Sequence, residues 1–327
     1  MRAAYYESNG PARAVLQVAE LPAPEPGPGE VRVRIGASGI NPSDVKARAG
    51  ATRKIAFPRV IPHSDGAGEI DRVGAGVPEA RIGERVWLWN AQYQRPFGTA
   101  ADYAVVPAAQ AVPLPPKLSF AEGACLGVPA MTAWHAVMLD GAEALSGSTV
   151  LVAGGAGSVG HYAVQFAKAA GAAVIATVSS DAKAQHARAA GADHVIDYKR
   201  EDVGARVKDL TDGKGVARII EVDLGRNAPL IAKVLAPRGT VVVYGSGGGE
   251  ATIGSSFLLN AHATMKFFIV YGIDAAARGR AVAGITEALA AGRLINAVAR
   301  DWPLAEIAAA HEAVEAGSLI GKAVVRP

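Results

Sequence analysis

The sequence predicts an α/β protein in two parts, a partly open β-barrel domain followed by a doubly wound parallel sheet. Three observations predict it. Residues 1–128 hold short apolar strands cut by Gly- and Pro-rich turns. After Pro129 the texture changes to strands alternating with helices. Near that change stands VLVAGGAGSVGHYAVQFAK (150–168), a strand, a glycine-rich turn and an amphipathic helix in direct succession.

Composition bounds the reading. At 327 residues the chain is long enough for two domains, and with 50% hydrophobic and 19% charged residues it is globular and not disordered. A net charge of +3, with both signs interspersed, argues against nucleic acid as a partner. The single cysteine, Cys125, excludes an internal disulfide and any multi-cysteine zinc site, and reads as a small buried apolar residue. No apolar run is long enough to span a bilayer, and MRAAYYESNGP lacks the apolar core of a signal peptide. A soluble cytoplasmic protein is expected.

Taken in order, residues 1–128 offer strands at Met1–Tyr5, Gln17–Leu21, Val31–Ala37, Ala67–Val73, Arg85–Trp89 and Ala101–Val106. Pro22, Pro24, Pro26 and Pro28 mark an extended connection, and Pro113, Pro115 and Pro116 a second one, which leads into an Ala-rich helix beginning near Ser119. Residues 129–272 form the second domain. Its strands begin near Thr149, Ala173, His194, Val216, Gly239 and Lys266, with helices at Ser158–Ala170, Asp181–Ala190, Asp202–Leu210 and Ala228–Leu235. Ligands in such sheets sit at the carboxyl ends of the strands, so the glycine run Gly245–Gly249 is a candidate binding loop. Residues 273–327 hold a long helix to about Ala291, a strand near Ala297, a helix at Leu304–Glu315 and a strand at Lys322–Val325. This segment returns to complete the first domain.

The glycine turn carries the first functional reading. Gly155, Gly157 and Gly160 fit G-x-G-x-x-G: a tight turn, a close backbone approach to a pyrophosphate, and helix-on-strand packing. The amides of Gly155, Ala156, Gly157, Ser158, Val159 and Gly160 are the candidate cradle, at the positive end of the new helix. Where an NAD-binding domain places an acid at the end of the second strand, this chain has Val178, Ser179 and Ser180, which leave room for a 2′-phosphate. NADPH is therefore the expected cofactor. The nearest acid, Asp181, is read as a helix N-cap.

Several segments together resemble the medium-chain dehydrogenase/reductase superfamily, and within it the zinc-free quinone oxidoreductase branch that includes zeta-crystallin. They are SGINPSDVK (38–46), PHSDGAGEI (62–70), GVPAMTAWHA (127–136), the glycine loop, VVVYGS (241–246) and GKAVV (321–325), and the match runs over essentially the whole chain. The resemblance implies a GroES-like catalytic domain, a Rossmann domain and hydride transfer from NADPH to a quinone or α,β-unsaturated carbonyl. Zinc-dependent members place ligands where Asn41, Ser64-Asp65 and Val128 stand here. Asn, Ser and Val are poor ligands and one Asp cannot hold zinc alone, so no metal site is expected. His63 reads as a turn histidine beside Pro62.

The resemblance also assigns residues. Asn41 and Thr132 lie beside the nicotinamide, although Asn41 also reads as a turn residue before Pro42. Val243, Tyr244, Gly245, Ser246, Ile269, Val270 and Tyr271 hold the carboxamide and its ribose. Lys183 and Tyr198 grip the 2′-phosphate, with Lys199 and Arg200 adding to the field. Asn227 and Lys322 complete the implied cofactor set. Lys46 is either a donor to a developing enolate or hydroquinone oxygen or a solvated lysine, and Asp44 either orients a cofactor hydroxyl or forms a surface pair. Better-known quinone reductases carry tyrosines where Lys46 and Thr52 stand, so the acceptor is left open. Alternatives are an enoyl-thioester reductase and a non-catalytic NADPH-binding protein with a structural or single-stranded nucleic-acid role. A homodimer joined through the apolar segment Lys266–Tyr271 at the sheet edge is also expected.

Overall fold

The computed structural model describes residues 1–245, 247 and 249–327. They divide into two compact units, Met1–Val128 with Thr286–Pro327, and Pro129–Ile285.

The first unit is built on the long strand Glu30–Ile40. Val31, Val33 and Ile35 alternate with Arg32 and Arg34, so one face enters a core with Ile70, Val86, Leu88 and Val106. This strand pairs antiparallel with Asp65–Val73, Tyr103–Pro107 and Lys322–Arg326. The sheet continues through Arg85–Leu88 to Ala111–Pro113 on one side and ends at Val298–Pro303 on the other. The register sets the functional geometry. Gly39 faces Asp65 on one neighbour and Val324 on the other, and Ala323 faces Ile40. Lys322 and Asn41 are the next pair along. A side chain on Gly39 would put its Cβ 2.1 Å from the Ala124 carbonyl and 2.9 Å from Lys322 Cε, so the strand leaves room there for the lysine stem.

The second unit is a six-stranded sheet in the order His194–Asp197, Ala173–Val178, Thr149–Val152, Val216–Glu221, Leu235–Val243, Thr264–Phe267, all pairs parallel. Val150–Val152, Ile219–Ile220 and Val241–Val243 are buried in unbroken runs, as a sheet covered on both faces requires. Helices Ser158–Ala169, Asp181–Ala189, Val203–Leu210 and Leu224–Val234 make the crossovers. The helix Ala275–Ala290 follows, and the chain re-enters the first unit inside it.

Several expectations need correction. Asn41 is no turn residue: it is the N-cap of a helix, Pro42–Ala49, with Pro42 in the first turn and Gly50 closing it at φ 79°. The Ala-rich helix near Ser119 is two pieces, Phe120–Gly123 and Gly127–Val137. The helix expected from Ala228 starts at Leu224 and holds Pro229 inside it; the clash such a proline makes with the carbonyl four residues back falls on Gly225. Ser180, not Asp181, caps the helix Asp181–Ala189, its hydroxyl accepting from the Lys183 amide at 3.3 Å. The edge strand is Thr264–Phe267, and Val270–Gly272 is a 3₁₀ turn.

Candidate active site

The candidate nucleotide site of the second unit lies at the carboxyl ends of the parallel strands. After Thr149–Val152 the chain reverses through Gly154, whose φ of 67° makes it the left-handed residue of the turn. The tight-turn role expected of Gly155 thus belongs to Gly154. Gly155 is needed for packing, since a Cβ there would lie 2.6 Å from Ala176 Cβ on the neighbouring strand. Gly160 seats the helix on the turn, where an added Cβ would meet the Gly154 carbonyl at 2.2 Å. Gly157 is the N-cap of Ser158–Ala169; it brings no side-chain cap, and the first turn holds no acid. The amides of Ser158, Val159 and Gly160 therefore start this helix with no intrahelical acceptor, an arrangement suited to an anion such as a pyrophosphate.

At the end of the second strand stand Val178, Ser179 and Ser180, the serines half-buried and no carboxylate among them. Asp181 is turned onto Arg200, at 2.9 Å, and Arg200 also lies 3.5 Å from Asp197. That guanidinium faces two carboxylates; Lys183 and the exposed Tyr198 are the phosphate grip that the resemblance implies. Lys199 is exposed beside them. A cavity of about 290 Å³ opens here, with Gly154, Thr177, Tyr198, Glu221, Asp223 and Asn227 among its walls. Thr177, Glu221 and Asp223 were not foreseen. Thr177 Oγ1 accepts from the Gly154 amide at 3.1 Å, fixing the turn. Glu221 accepts from the Asp223 amide at 2.5 Å and from Asn227 Nδ2 at 2.9 Å, and burial raises its carboxyl.

Of the other residues assigned to the cofactor, Val243 is buried at the end of its strand, and Tyr244 and Gly245 continue it, the Tyr244 amide donating to the Glu221 carbonyl at 3.1 Å. Ser246 lies outside the described residues. Ile269 is exposed, Val270 buried and Tyr271 half-buried. Thr132 is buried in the helix Gly127–Val137.

The first unit, by itself, holds a buried charge cluster. Lys322 Nζ donates to Asp65 Oδ2 at 2.8 Å and to Asn41 Oδ1. Asn41 Nδ2 donates to the same Asp65 oxygen at 2.8 Å, and the Val128 amide donates to Asp65 Oδ1 at 2.8 Å. Asp44, at the third helix position, accepts from the Asn41 amide at 2.7 Å. Asp44 is thus no surface residue; burial, with Asp65 adding to it, pushes its carboxyl up to about 7. Lys46 stands on the exposed face of the same helix.

A hydrogen-bond chain holds Asp65 from behind. Thr99 Oγ1 donates to the Asp65 carbonyl at 2.6 Å, which consumes its one hydrogen. Ser38 must then donate to Thr99, at 2.7 Å, and accept from His63 Nδ1, at 2.8 Å. Burial keeps His63 and His311 neutral, with His311 down to about 3, so His311 Nε2–H donates to His63 Nε2 at 2.9 Å. His63, at φ 79°, is therefore a buried structural residue of the turn.

These donors bear on the fit of a zinc ion. Asn41 and Asp65 meet around an ammonium, and Asp65 has both oxygens engaged, one by the lysine and the other by the Val128 amide. Cys125 is buried, its thiol pushed up to about 12, chiefly by desolvation, and it is held by the Ala121 carbonyl. The residues present do not fit a zinc ion.

Comparison with known proteins gives the family. The model of the alcohol dehydrogenase GroES-like domain matches residues 27–116, and that of zinc-binding dehydrogenase matches 158–285, which contains none of the positions where zinc ligands were sought. A quinone oxidoreductase of Pseudomonas aeruginosa is 36% identical over 239 residues, 73% of this chain and 71% of that one. The chain belongs to the quinone oxidoreductase branch of the medium-chain dehydrogenase/reductase superfamily. A 2-haloacrylate reductase from a Burkholderia species, 30% identical, matches 100% of this chain and 99% of its own. Two solved structures cover the whole chain and are wholly covered by it: an NAD-dependent alcohol dehydrogenase (TM-score 0.91, 30% identity) and the Escherichia coli quinone oxidoreductase complexed with NADPH (TM-score 0.88, 27% identity). Within this branch, the GroES-like fold corresponds to the first unit and the Rossmann fold to the second.

Proposed function

We propose that this oxidoreductase transfers hydride from NADPH to a quinone or another α,β-unsaturated carbonyl without a metal. The observation that carries the reading is the Asn41–Asp65–Lys322 cluster. A fixed ammonium stands among the residues that replace the zinc ligands, so the site has no Lewis acid to activate an alcohol or a simple ketone. The acceptor must already be electrophilic, and conjugation to a carbonyl supplies that property. Bound NADPH supplies the hydride, and a proton from solvent or protein completes the reduction.

The unit Pro129–Ile285 serves as the cofactor domain, with the glycine turn on the pyrophosphate and Ser179, Ser180, Lys183 and Tyr198 around the 2′-phosphate. The absence of an acid at the strand end supports NADPH over NADH, and the NADPH-bound Escherichia coli relative supports it independently. Asn41 and Thr132 are the catalytic residues in this reading. The relative named as a 2-haloacrylate reductase supports an activated alkene as an alternative acceptor. A dimer through the edge strand Thr264–Phe267 is supported by the exposure of Phe267 and Ile269. No helix among the described residues is long and apolar enough to cross a membrane, and a cytoplasmic location is part of the proposal.

The test is NADPH oxidation with a panel of quinones, an α,β-unsaturated ketone and a saturated ketone, before and after dialysis against a strong chelator. The conjugated acceptors should turn over, the saturated ketone should not, and chelation should change nothing. Turnover of the saturated ketone that is lost on chelation and restored by zinc would overturn the proposal.

A further inference from the structure

We infer that the first unit holds a binding site for a small monocarboxylate with a short apolar tail, in the cavity between the end of the helix Pro42–Ala49, the segment 53–60 and the turn 91–94. The inference goes beyond the reductase reading. None of the lining residues is among those that the family resemblance assigns, and all of them belong to the stretch Met1–Val128.

The cavity measures about 230 Å³, room for roughly seven or eight waters or for one small organic acid. Its apolar wall is Ile55, Phe57 and Val60, part of the hydrophobic cluster that also holds Tyr6. Its polar wall is Tyr6, Arg53, Lys54, Gln92 and Gln94, with two cations and no acid. Such a lining matches a molecule with one anionic end and one apolar end.

The walls are fastened in place. The Ile55 amide donates to Asn9 Oδ1 at 2.8 Å, and Asn9 Nδ2 donates to the carbonyls of Ala47 and Arg48 at 2.8 and 3.2 Å, which ties the segment to the helix end. Arg53 Nη2 donates to Gln92 Oε1 at 3.0 Å, and Gln92 Nε2 donates to the Arg95 carbonyl at 2.8 Å. Gln94 is held at φ 57°, a left-handed conformation that non-glycine residues rarely adopt and that gathers at ligand clamps.

Two groups of the polar wall lack the partner their chemistry calls for. Among the described residues Arg53 bonds only Gln92 and pairs with no carboxylate, so the rest of its fork is left to grip one. Tyr6 is 4% exposed, and among the described residues its hydroxyl has no hydrogen-bond partner. A buried phenol normally finds one. Burial, with Asp44 adding to it, holds this phenol up at about 12, so it remains an O–H donor throughout the neutral range. The Arg53 charge reaches the same phenol. A carboxylate in the cavity accepts from the Tyr6 hydroxyl and from the Arg53 fork, and its tail lies on Phe57 and Val60. Lys54, exposed at the rim, adds to the positive field. Asp44 does not line the cavity and is held by the Asn41 amide at 2.7 Å.

Benzoate is the probe, titrated calorimetrically into the full-length protein without NADPH. Wild type should bind one benzoate with a Kd below about 1 mM. Benzamide, which lacks the charge, and acetate, which lacks the tail, should each bind at least about tenfold more weakly. Arg53→Met should weaken benzoate by about tenfold or more and leave benzamide unchanged; Arg53 is exposed, so its replacement spares the fold. Tyr6→Phe should also weaken benzoate about tenfold. Without ligand its Tm should equal or exceed that of wild type, because the change deletes a buried hydroxyl that bonds nothing. No saturable binding by wild type, wild-type affinity for benzoate in either variant, or benzamide bound as tightly as benzoate overturns the inference. Each of these results leaves the reductase reading standing, since neither cofactor nor hydride acceptor is present in the titration. Failure of every conjugated acceptor in the NADPH oxidation panel would overturn that reading and leave this site standing.

Discussion

Replacing Gly160 by alanine tests whether the glycine turn is built around a pyrophosphate. The new Cβ would lie 2.2 Å from the Gly154 carbonyl oxygen and 2.9 Å from both Gly154 C and Gly155 Cα, whereas ordinary contact starts at about 3.4 Å. All three neighbours are backbone, so relief requires the helix Ser158–Ala169 to part from the turn by roughly 1 Å. Overpacking of this kind typically costs about 1–3 kcal/mol of stability. The same shift moves the amides of residues 158–160 off the anion, and one charge-assisted hydrogen bond lost is about 1.5–3 kcal/mol. The Kd for NADPH should rise roughly 10- to 100-fold. Fluorescence titration with NADPH measures this, alongside thermal unfolding. Gly279→Ala is the control: it lies in the helix Ala275–Ala290 of the same unit, has nothing within 4 Å of its added Cβ, and should be neutral to slightly stabilising. A Gly160→Ala protein that binds NADPH with wild-type affinity would refute the assignment of the turn.

Three further outcomes follow from the same geometry. Lys183→Ala should raise the Michaelis constant for NADPH by roughly tenfold or more and leave that for NADH nearly unchanged, as expected for one lost phosphate contact; equal weakening of both cofactors would place the phosphate elsewhere. Asp44, raised in the fold from 3.8 to about 7, favours the folded state while protonated, so its contribution is fully present below pH 3.8 and is lost as pH climbs to about 7, at most about 4 kcal/mol. Asp44→Asn, which can still accept from the Asn41 amide, should lack this loss. Urea midpoints that separate wild type from variant equally at pH 5 and pH 8 would count against it. Phe267→Glu on the exposed edge strand should convert a dimer to monomers in sedimentation, and a wild-type protein already monomeric at micromolar concentration would end the dimer proposal.

Local patterns were legible in the sequence wherever neighbours along the chain decide them. The alternation Val31-Arg32-Val33-Arg34-Ile35 and the unbroken run Val150–Val152 specify one-sided and two-sided burial, and both were readable. Errors arose where two adjacent residues can play one part. Ser180 and Asp181 can each cap a helix, and Gly154 and Gly155 can each turn left-handed; in both pairs tertiary contacts chose, through Arg200 and Ala176. The helix after Asn41 had a signal that was passed over: Asn, then Pro at the first position and Asp at the third, is a helix start. The charge cluster could not be read locally. Asn41 lies 24 residues from Asp65 and 281 from Lys322, and it is the registers of Glu30–Ile40 with Asp65–Val73 and with Lys322–Arg326 that join them. The resemblance marked Asn41, Asp65 and Val128 as former ligand positions and named Lys322 only as a cofactor contact, not as the partner of Asn41 and Asp65.

Direct transfer of hydride from NADPH to a conjugated acceptor is the central claim, and isotope labelling tests it most directly. The protein would be incubated, in the presence of a chelator, with NADPH carrying deuterium at each face of nicotinamide C4 in turn and with an α,β-unsaturated ketone, and the product examined by mass spectrometry and NMR. Direct transfer places one deuterium at the β-carbon from one of the two labelled faces and none from the other, with the α-hydrogen drawn from solvent. Product without deuterium from either face, or labelling that requires added zinc, would contradict it.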